Sequence, residues 1–341
     1  MRALGEEHLD AALAVAQEHD GGGEPVDRVV HEGVELCGHL PTVERSAPIR
    51  TRCRERAGRR MLRSMSDRQR HHVRALTPPA AVSRLATCVL APNPGPMTLD
   101  GTNSYVLRAP DSAGVVVVDP GPLDEAHLAR LAEFGTVELV LLTHHHGDHR
   151  DGLARFAELT GAPVRAVDPA FCVGAGPLVD GERIAAAGLA IEVLVTPGHT
   201  ADSVCFSLPD DAPHGSVLTG DTILGRGTTI IADPDGALGP YLGSLERLRE
   251  LGRARSGHVA VLPGHGPVLQ DLGDICDEYL AHRAERLEQV RAVLRGLGAD
   301  PADPETVAGV VDTVYAETDA AVQPAAEASV RAQLAYLREH G

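Results

Sequence analysis

The chain has 341 residues, 43% of them hydrophobic, which is enough for one large domain with a sizeable core plus extra segments. No run approaches the ~18–20 apolar residues of a membrane span. The start lacks an apolar signal core, and the six cysteines (37, 53, 88, 172, 205 and 276) form no CxxC pair, so a reduced, cytoplasmic protein without membrane contact is expected. The net charge is −17: residues 1–80 carry 13 Arg against 12 Asp plus Glu, which leaves 18 against 36 in 81–341, a field that opposes polyanionic partners at long range.

Residues 1–79 read as a leader outside the fold. Residues 6–19 suit a short amphipathic helix broken by Gly21, Gly22 and Gly23, and 45–74 hold 11 Arg with little apolar periodicity. Such an arm can grip nucleic acid; the plainer reading is a disordered leader, or codons upstream of a start at Met61 or Met65. From Ala80 the pattern becomes α/β. Strands are expected at 82–90, 104–108, 115–118, 137–142, 164–167, 190–195, 204–207 and 217–219, with a Pro/Gly-rich turn at 93–103. Helices are expected at 123–134, 152–159 and 241–252, the last with Leu242, Leu245, Leu248 and Leu251 on one face. Residues 172–187 are Gly/Ala-rich and read as irregular. This alternation predicts two sheets with helices outside, over 80–270. In 271–341 three helical stretches follow, at 277–297, 305–317 and 325–340. Arg283, Arg286, Arg291 and Arg295 read there as a solvated helix edge.

The chemistry concentrates after the 137–142 strand, in Thr143-His144-His145-His146-Gly147-Asp148-His149. His144 and His146 are two apart and point the same way in an extended segment. Gly147 permits a tight turn, after which Asp148 and His149 face a second point. That suits two adjacent metal ions better than one, and neutral imidazole and carboxylate are Zn²⁺ ligands. Three later strands also empty into one polar residue flanked by Gly or Pro: Thr196-Pro197-Gly198-His199-Thr200, Thr219-Gly220-Asp221-Thr222 and Pro263-Gly264-His265-Gly266. A lone His beside Gly is weak evidence of a ligand; four such strand ends in one chain are strong evidence.

The series THxHxDH, TPGHT, TGD and PGHG resembles the metallo-β-lactamase fold superfamily over about residues 82–268. Asn93-Pro94-Gly95-Pro96-Met97-Thr98-Leu99-Asp100-Gly101-Thr102-Asn103-Ser104-Tyr105 and Gly220-Asp221-Thr222-Ile223-Leu224-Gly225-Arg226-Gly227-Thr228-Thr229 resemble the beta-lactamase-like protein 2 group and its bacterial relatives. The resemblance implies a four-layer αββα sandwich with a small winged-helix-like C-terminal appendage, its wing short or absent, used for packing or in a homodimer. It implies two zinc ions, with Mn or Fe as alternatives. His144, His146 and His199 would hold one ion, Asp148, His149 and His265 the other, and Asp221 would bridge them. Asp119, after the 115–118 strand, would support a ligand from behind. His145 is a spacer without a ligand role.

The same resemblance implies a hydrolase whose nucleophile is a hydroxide shared by the two ions. Asp148 would orient it, and Arg226, Thr228, Asn103 and Tyr241 are the candidate substrate contacts. An Asp at 221, where the best-known zinc β-lactamases carry Cys, argues against a true lactamase. The group includes a single-stranded-RNA endonuclease, and similar starts occur in fungal thioesterases. RNA phosphodiesters are therefore the first expected substrate, and small or carrier-bound thioesters the second. A scaffold without activity is the third reading, disfavoured by seven ligand positions.

Overall fold

Short β-branched runs build two sheets, because their side chains can be buried on both faces. The computed structural model describes residues 79–340 apart from 212, 232, 304 and 317–322. The expectations for the leader and its Arg-rich stretch lie outside the described residues, except at position 79.

The first sheet runs in chain order: β1 (Ala80–Ala81), β2 (Ala86–Leu90), β3 (Asn103–Leu107), β4 (Gly114–Val118), β5 (Thr136–Leu141) and β6 (Val164–Arg165). Its first four strands are antiparallel, while β4, β5 and β6 are parallel. Helix α1 (Glu125–Ala132) makes the β4–β5 crossover; α2 (Gly147–Arg150) and α3 (Leu153–Thr160) lie between β5 and β6. The second sheet has the order β11-β10-β9-β8-β7, from β7 (Arg183–Ala186), β8 (Leu189–Val195), β9 (Val204–Leu208), β10 (Ser216–Gly220) and β11 (Ala260–Pro263). Only its β10–β11 pair is parallel, joined through α4 (Leu238–Ala254). Helices α5 (Leu272–Leu297), α6 (Thr306–Val314) and α7 (Gln323–His340) complete the described chain.

Three apolar layers result. Val116 and Val118 face the second sheet with Leu139, Leu141, Ile191, Val193, Phe206 and Leu218. Val115 and Val117 point the other way, onto Leu128 and Leu131 of α1 and Phe156 of α3. The outer face of the second sheet buries Val217 and Val261 under α4 and α5, and the same cluster continues to Val310 of α6 and Val330 of α7. The order is helix, sheet, sheet, helix, as expected. Each fully buried Val, Leu or Phe in these layers contributes about 1.5–3 kcal/mol relative to an exposed one.

Two local expectations are corrected. The stretch read as irregular at 172–187 contains β7, which pairs Arg183–Ala186 with β8; its alanines carry no strand signal, and register with β8 supplies it. Helix α5 starts at Leu272 rather than 277, because Asp271 caps it by accepting from the amides of Gly273 and Asp274.

On α1, Asp124 caps the helix by accepting from the His127 amide at 2.8 Å. The His127 ring is buried against Ser104 Oγ at 2.9 Å, and burial pushes its pKa down to about 4. An unfolded His titrates near 6.5. Below that pH the unfolded chain takes up a proton that the folded chain refuses, so this stability is full above about 6.5 and is lost as pH falls toward 4. Urea unfolding at pH 7 and pH 5 should show a stability loss to which His127 contributes about 2 kcal/mol. His127→Gln should narrow the loss by that amount; an unchanged loss would mean that His127 is not held neutral.

Candidate metal centre

The seven residues expected as ligands leave strands of both sheets at a common edge. His144, His146, Asp148 and His149 follow β5, His199 follows β8, Asp221 follows β10 and His265 follows β11. The two sheets are fastened there by backbone bonds: Val204 N–H donates to Thr143 O and Asn103 N–H to Gly264 O, at 2.9 and 2.8 Å.

The ring nitrogens and carboxylate oxygens form two sets. His146 Nδ1 lies 3.0 Å from both His144 Nε2 and His199 Nε2. In the other set His149 Nε2 and His265 Nε2 are 3.2 Å apart, and Asp148 Oδ2 is 3.4 and 3.0 Å from them. Ligand atoms ~2.0–2.1 Å from one tetrahedral ion lie roughly 3.3 Å from one another, so either set can close on a cation. Asp221 reaches across both: Oδ2 is 3.8 Å from His199 Nε2 and 3.4 Å from His265 Nε2, and Oδ1 is 3.5 Å from His149 Nε2. Asp221 Oδ1 is buried without a hydrogen-bond partner, which is what a carboxylate oxygen awaiting a cation looks like. Gly264 leaves the room for it, since a Cβ there would sit 2.5 Å from Asp221 Oδ1.

The far nitrogen of each ring is tied off. His199 Nδ1 donates to Ile230 O at 2.7 Å and His265 Nδ1 to Gly101 O at 3.1 Å. A carbonyl only accepts, so both rings carry a proton on Nδ1 and aim Nε2 inward. Asp119 does the same for the β5 loop. Its Oδ1 accepts from Thr143 N–H, and its Oδ2 accepts from Thr143 Oγ1 and lies 2.8 Å from His149 Nδ1. Thr143 Oγ1, having given its proton to Asp119, is free to accept from His144 Nδ1 at 3.0 Å. To do this Asp119 adopts a left-handed backbone, φ 52°, which costs a non-glycine residue about 1–3 kcal/mol.

The electrostatics match a cation site. Burial alone would raise Asp221 and Asp148, yet His265 and His149 hold both below the usual carboxylate range. Burial would lower His149, but Asp148, Asp221 and Asp119 raise it to about 9; Asp221 and Asp148 likewise raise His265 well above its ordinary value. On the other side, burial and then the His199 ring push His146 down to about 4. One half of the cluster thus concentrates negative charge, and in the other burial holds the His144 and His146 rings neutral.

His145 Nδ1 is 2.8 Å from Asp202 Oδ1 and its Nε2 is 3.5 Å from Asp235 Oδ2, so His145, His146 and Asp235 make a further ligand-spaced group beside the first set.

Two expected substrate contacts, Tyr241 and Asn103, need correction. Tyr241 is fully buried, its hydroxyl donating to Thr222 O at 2.8 Å and its backbone packed beneath Gly198. Asn103 is buried too, and its amide donates to Pro263 O and Gly266 O, bracing the His265 loop. Arg226 is paired bidentately with Asp100 at 2.9 and 3.2 Å at partial exposure, a pair weak enough for a substrate anion to compete with. Thr228 remains half-buried beside the His199 support. Sequence reasoning also missed Arg283 and Arg286, which are buried rather than solvated. The signal for Asn103 and Thr143 was a polar residue at the end of a buried strand; Arg283 gave none.

The sequence model of the Metallo-beta-lactamase superfamily matches residues 97–265. The chain is 31% identical to a Beta-lactamase-like protein 2 homolog of Caenorhabditis elegans over 273 residues, 76% of this chain and 86% of that one. It is 32% identical to the Lactamase-like protein vrtG of Penicillium aethiopicum over 234 residues, 64% of this chain and 69% of that one. Among solved structures, a metallo-beta-lactamase family protein from Thermus thermophilus superposes with a TM-score of 0.58 at 25% identity, covering 76% of this chain and 95% of that one.

Asp119→Asn should lower metal affinity about 10–100-fold, read by titration against a competing chelator, because the amide cannot accept from both Thr143 and His149. Tyr241→Phe should cost about 1 kcal/mol of unfolding free energy and leave KM unchanged; a raised KM at full stability would return Tyr241 to the substrate.

Proposed function

Since this chain belongs to the metallo-beta-lactamase superfamily, we propose that it is a hydrolase holding two metal ions, one on His144, His146 and His199 and one on Asp148, His149 and His265, with Asp221 shared. The observation that carries this is the pair of ligand-spaced sets joined by the unpartnered oxygen of Asp221. A divalent pair there supplies Lewis-acid polarisation of the scissile bond and activation of water at neutral pH; zinc fits the His/Asp donors, as do Mn and Fe.

The protein's own part is positioning. Asp119, Thr143 and the carbonyls of Gly101 and Ile230 fix the rings before any substrate arrives, so little reorganisation accompanies the reaction. Asp148 is the most exposed carboxylate of the cluster, with 28% of its side chain accessible. It lies 3.4 Å from Thr102 Oγ1 and can orient an attacking water or carry its proton.

The substrate we favour is a small acyl ester or thioester. Residues 81–341 hold 36 acidic against 18 basic residues, and Arg226, an expected phosphate contact, already has Asp100 as a partner. Single-stranded RNA is the second reading, favoured by the resemblance to the beta-lactamase-like protein 2 group and by the 11 Arg of residues 45–74.

Metal-reconstituted protein should hydrolyse members of a short-chain acyl-thioester panel, and His146→Ala should lose at least about 100-fold in kcat/KM together with one equivalent of metal. Cleavage of unstructured RNA at low salt, lost in the same variant while thioesters stay intact, would replace the first reading by the second. Full metal content without turnover of any ester, thioester or phosphodiester would remove both.

A further inference from the structure

Behind His199, residues 228–230 share a crevice with α5 and α7. Arg283 and Arg286 line it, with His282, Ser329 and Gln333 around them. Its free volume is about 10 Å³, room for one water-sized oxygen. Both arginines are more than nine-tenths buried, at 8% and 6% exposed. Arg283 donates one N–H to Thr229 O and lies 5.1 Å from the Tyr241 ring centre. Its Nε is buried with no partner, and so is Gln333 Oε1. Arg286 lies over the Tyr315 ring at 5.1 Å.

A guanidinium stays protonated at any physiological pH, so burial cannot relieve its charge by titration. Ring faces offset part of that charge, but two desolvated cations in one crevice still call for an anion. Among the described residues that line the crevice there is no carboxylate. His282 adds no positive charge of its own, because burial and the adjoining Arg283 and Arg286 push it down to about 4. The Gln333 amide can turn its N–H₂ inward in place of the orphaned oxygen, since the two orientations have the same shape.

We propose that this crevice is an oxyanion site, in which Arg283 and Arg286 receive an oxygen of a phosphate or carboxylate group. Forked N–H donors match such groups, and the free Arg283 Nε is a ready donor. The group can arrive on a free ion or as the anionic end of a substrate. The second source rests on the hydrolase reading, whereas the binding itself does not. Glu317 and Asp319 follow Tyr315 by two and four residues in the sequence and lie outside the described residues, so a double variant at these positions enters the test.

The test is a phosphate titration of metal-loaded protein followed by thermal unfolding, on wild type, Arg286→Gln, Arg286→Lys, Ser329→Ala, His146→Ala and the double variant Glu317→Gln/Asp319→Asn. Wild type should gain stability with phosphate. The gain should persist in His146→Ala, vanish in Arg286→Gln and return in part in Arg286→Lys. Ser329→Ala, a milder change, carries the comparison if Arg286→Gln does not fold, and should weaken the phosphate response. A gain that needs His146 and ignores Arg286 would place phosphate on the metal centre and overturn the proposal. So would a gain seen only in the double variant, since the crevice would then be filled by its own carboxylates, or no gain in any protein. Parallel hydrolysis of acetyl and succinyl thioesters separates the sources. A KM raised about tenfold for the succinyl thioester alone in Arg286→Gln identifies a substrate end, and equal KM values identify a separate ligand. Failure of the hydrolase reading would show as metal-loaded protein inert to both thioesters, whatever phosphate does.

Discussion

One carboxylate, that of Asp119, ties the site to the fold. It accepts from the Thr143 backbone and hydroxyl and lies 2.8 Å from His149, so it holds three successive features of the β5 loop from a single point at the end of β4. This works because β4 and β5 are parallel, with Val118 paired to Leu141, so their C-terminal ends emerge side by side. The β10–β11 pair repeats the geometry in the second sheet and delivers Asp221 and His265 together. Parallel pairing, made possible by the crossover helices α1 and α4, therefore decides which residues can share a cation.

The loops that gather the candidate ligands were legible in the sequence because they combine two signals that seldom coincide. Each follows a short β-branched run, and each places an imidazole or carboxylate beside a residue that permits an unusual backbone. At Gly198 this is more than local flexibility: φ is 147° and a Cβ would sit 2.3 Å from Tyr241 Cα. The helix on which Tyr241 sits was legible too, from its leucine stripe. What could not be read was which side of the ligand loop Tyr241 occupies. Nothing in the residue type distinguishes a tyrosine facing a substrate from one supporting the loop beneath it. Asn103 failed for the same reason, because its partners, Pro263 and Gly266, lie 160 and 163 residues away.

The arginines of α5 show a different limit. At helical spacing they look like a charged edge, and Arg291 does behave so, pairing with Glu288 at partial exposure. Arg283 and Arg286 sit one to two turns nearer the N-terminus of α5, where the segment after β10 and helix α7 cover them. Periodicity locates a face on a helix but not what the rest of the chain lays over it. The β7 strand was missed by the converse route, since its alanines lack intrinsic preference and become a strand only through the register with β8.

Burial of Arg283 also alters what the C-terminal helices do. Thr229 accepts from Arg283 through its carbonyl and lies 3.1 Å from His199 Nδ1 through its hydroxyl. Tyr241, stacked by the same guanidinium, donates to the carbonyl of Thr222, the residue after Asp221. Two candidate ligands that follow separate strands of the second sheet are thus steadied by one side chain of α5. Asp119 plays the corresponding part for the first sheet with a negative charge, and Arg283 does so with a positive one. The two supports touch different residues, Asp119 bonding Thr143 and His149 while Arg283 bonds Thr229 and stacks on Tyr241. The apolar cluster shared by α4, α5, α6 and α7 holds α5 in place, and in this way the helical C-terminal segment helps to set the geometry of the site through Thr229 and Tyr241.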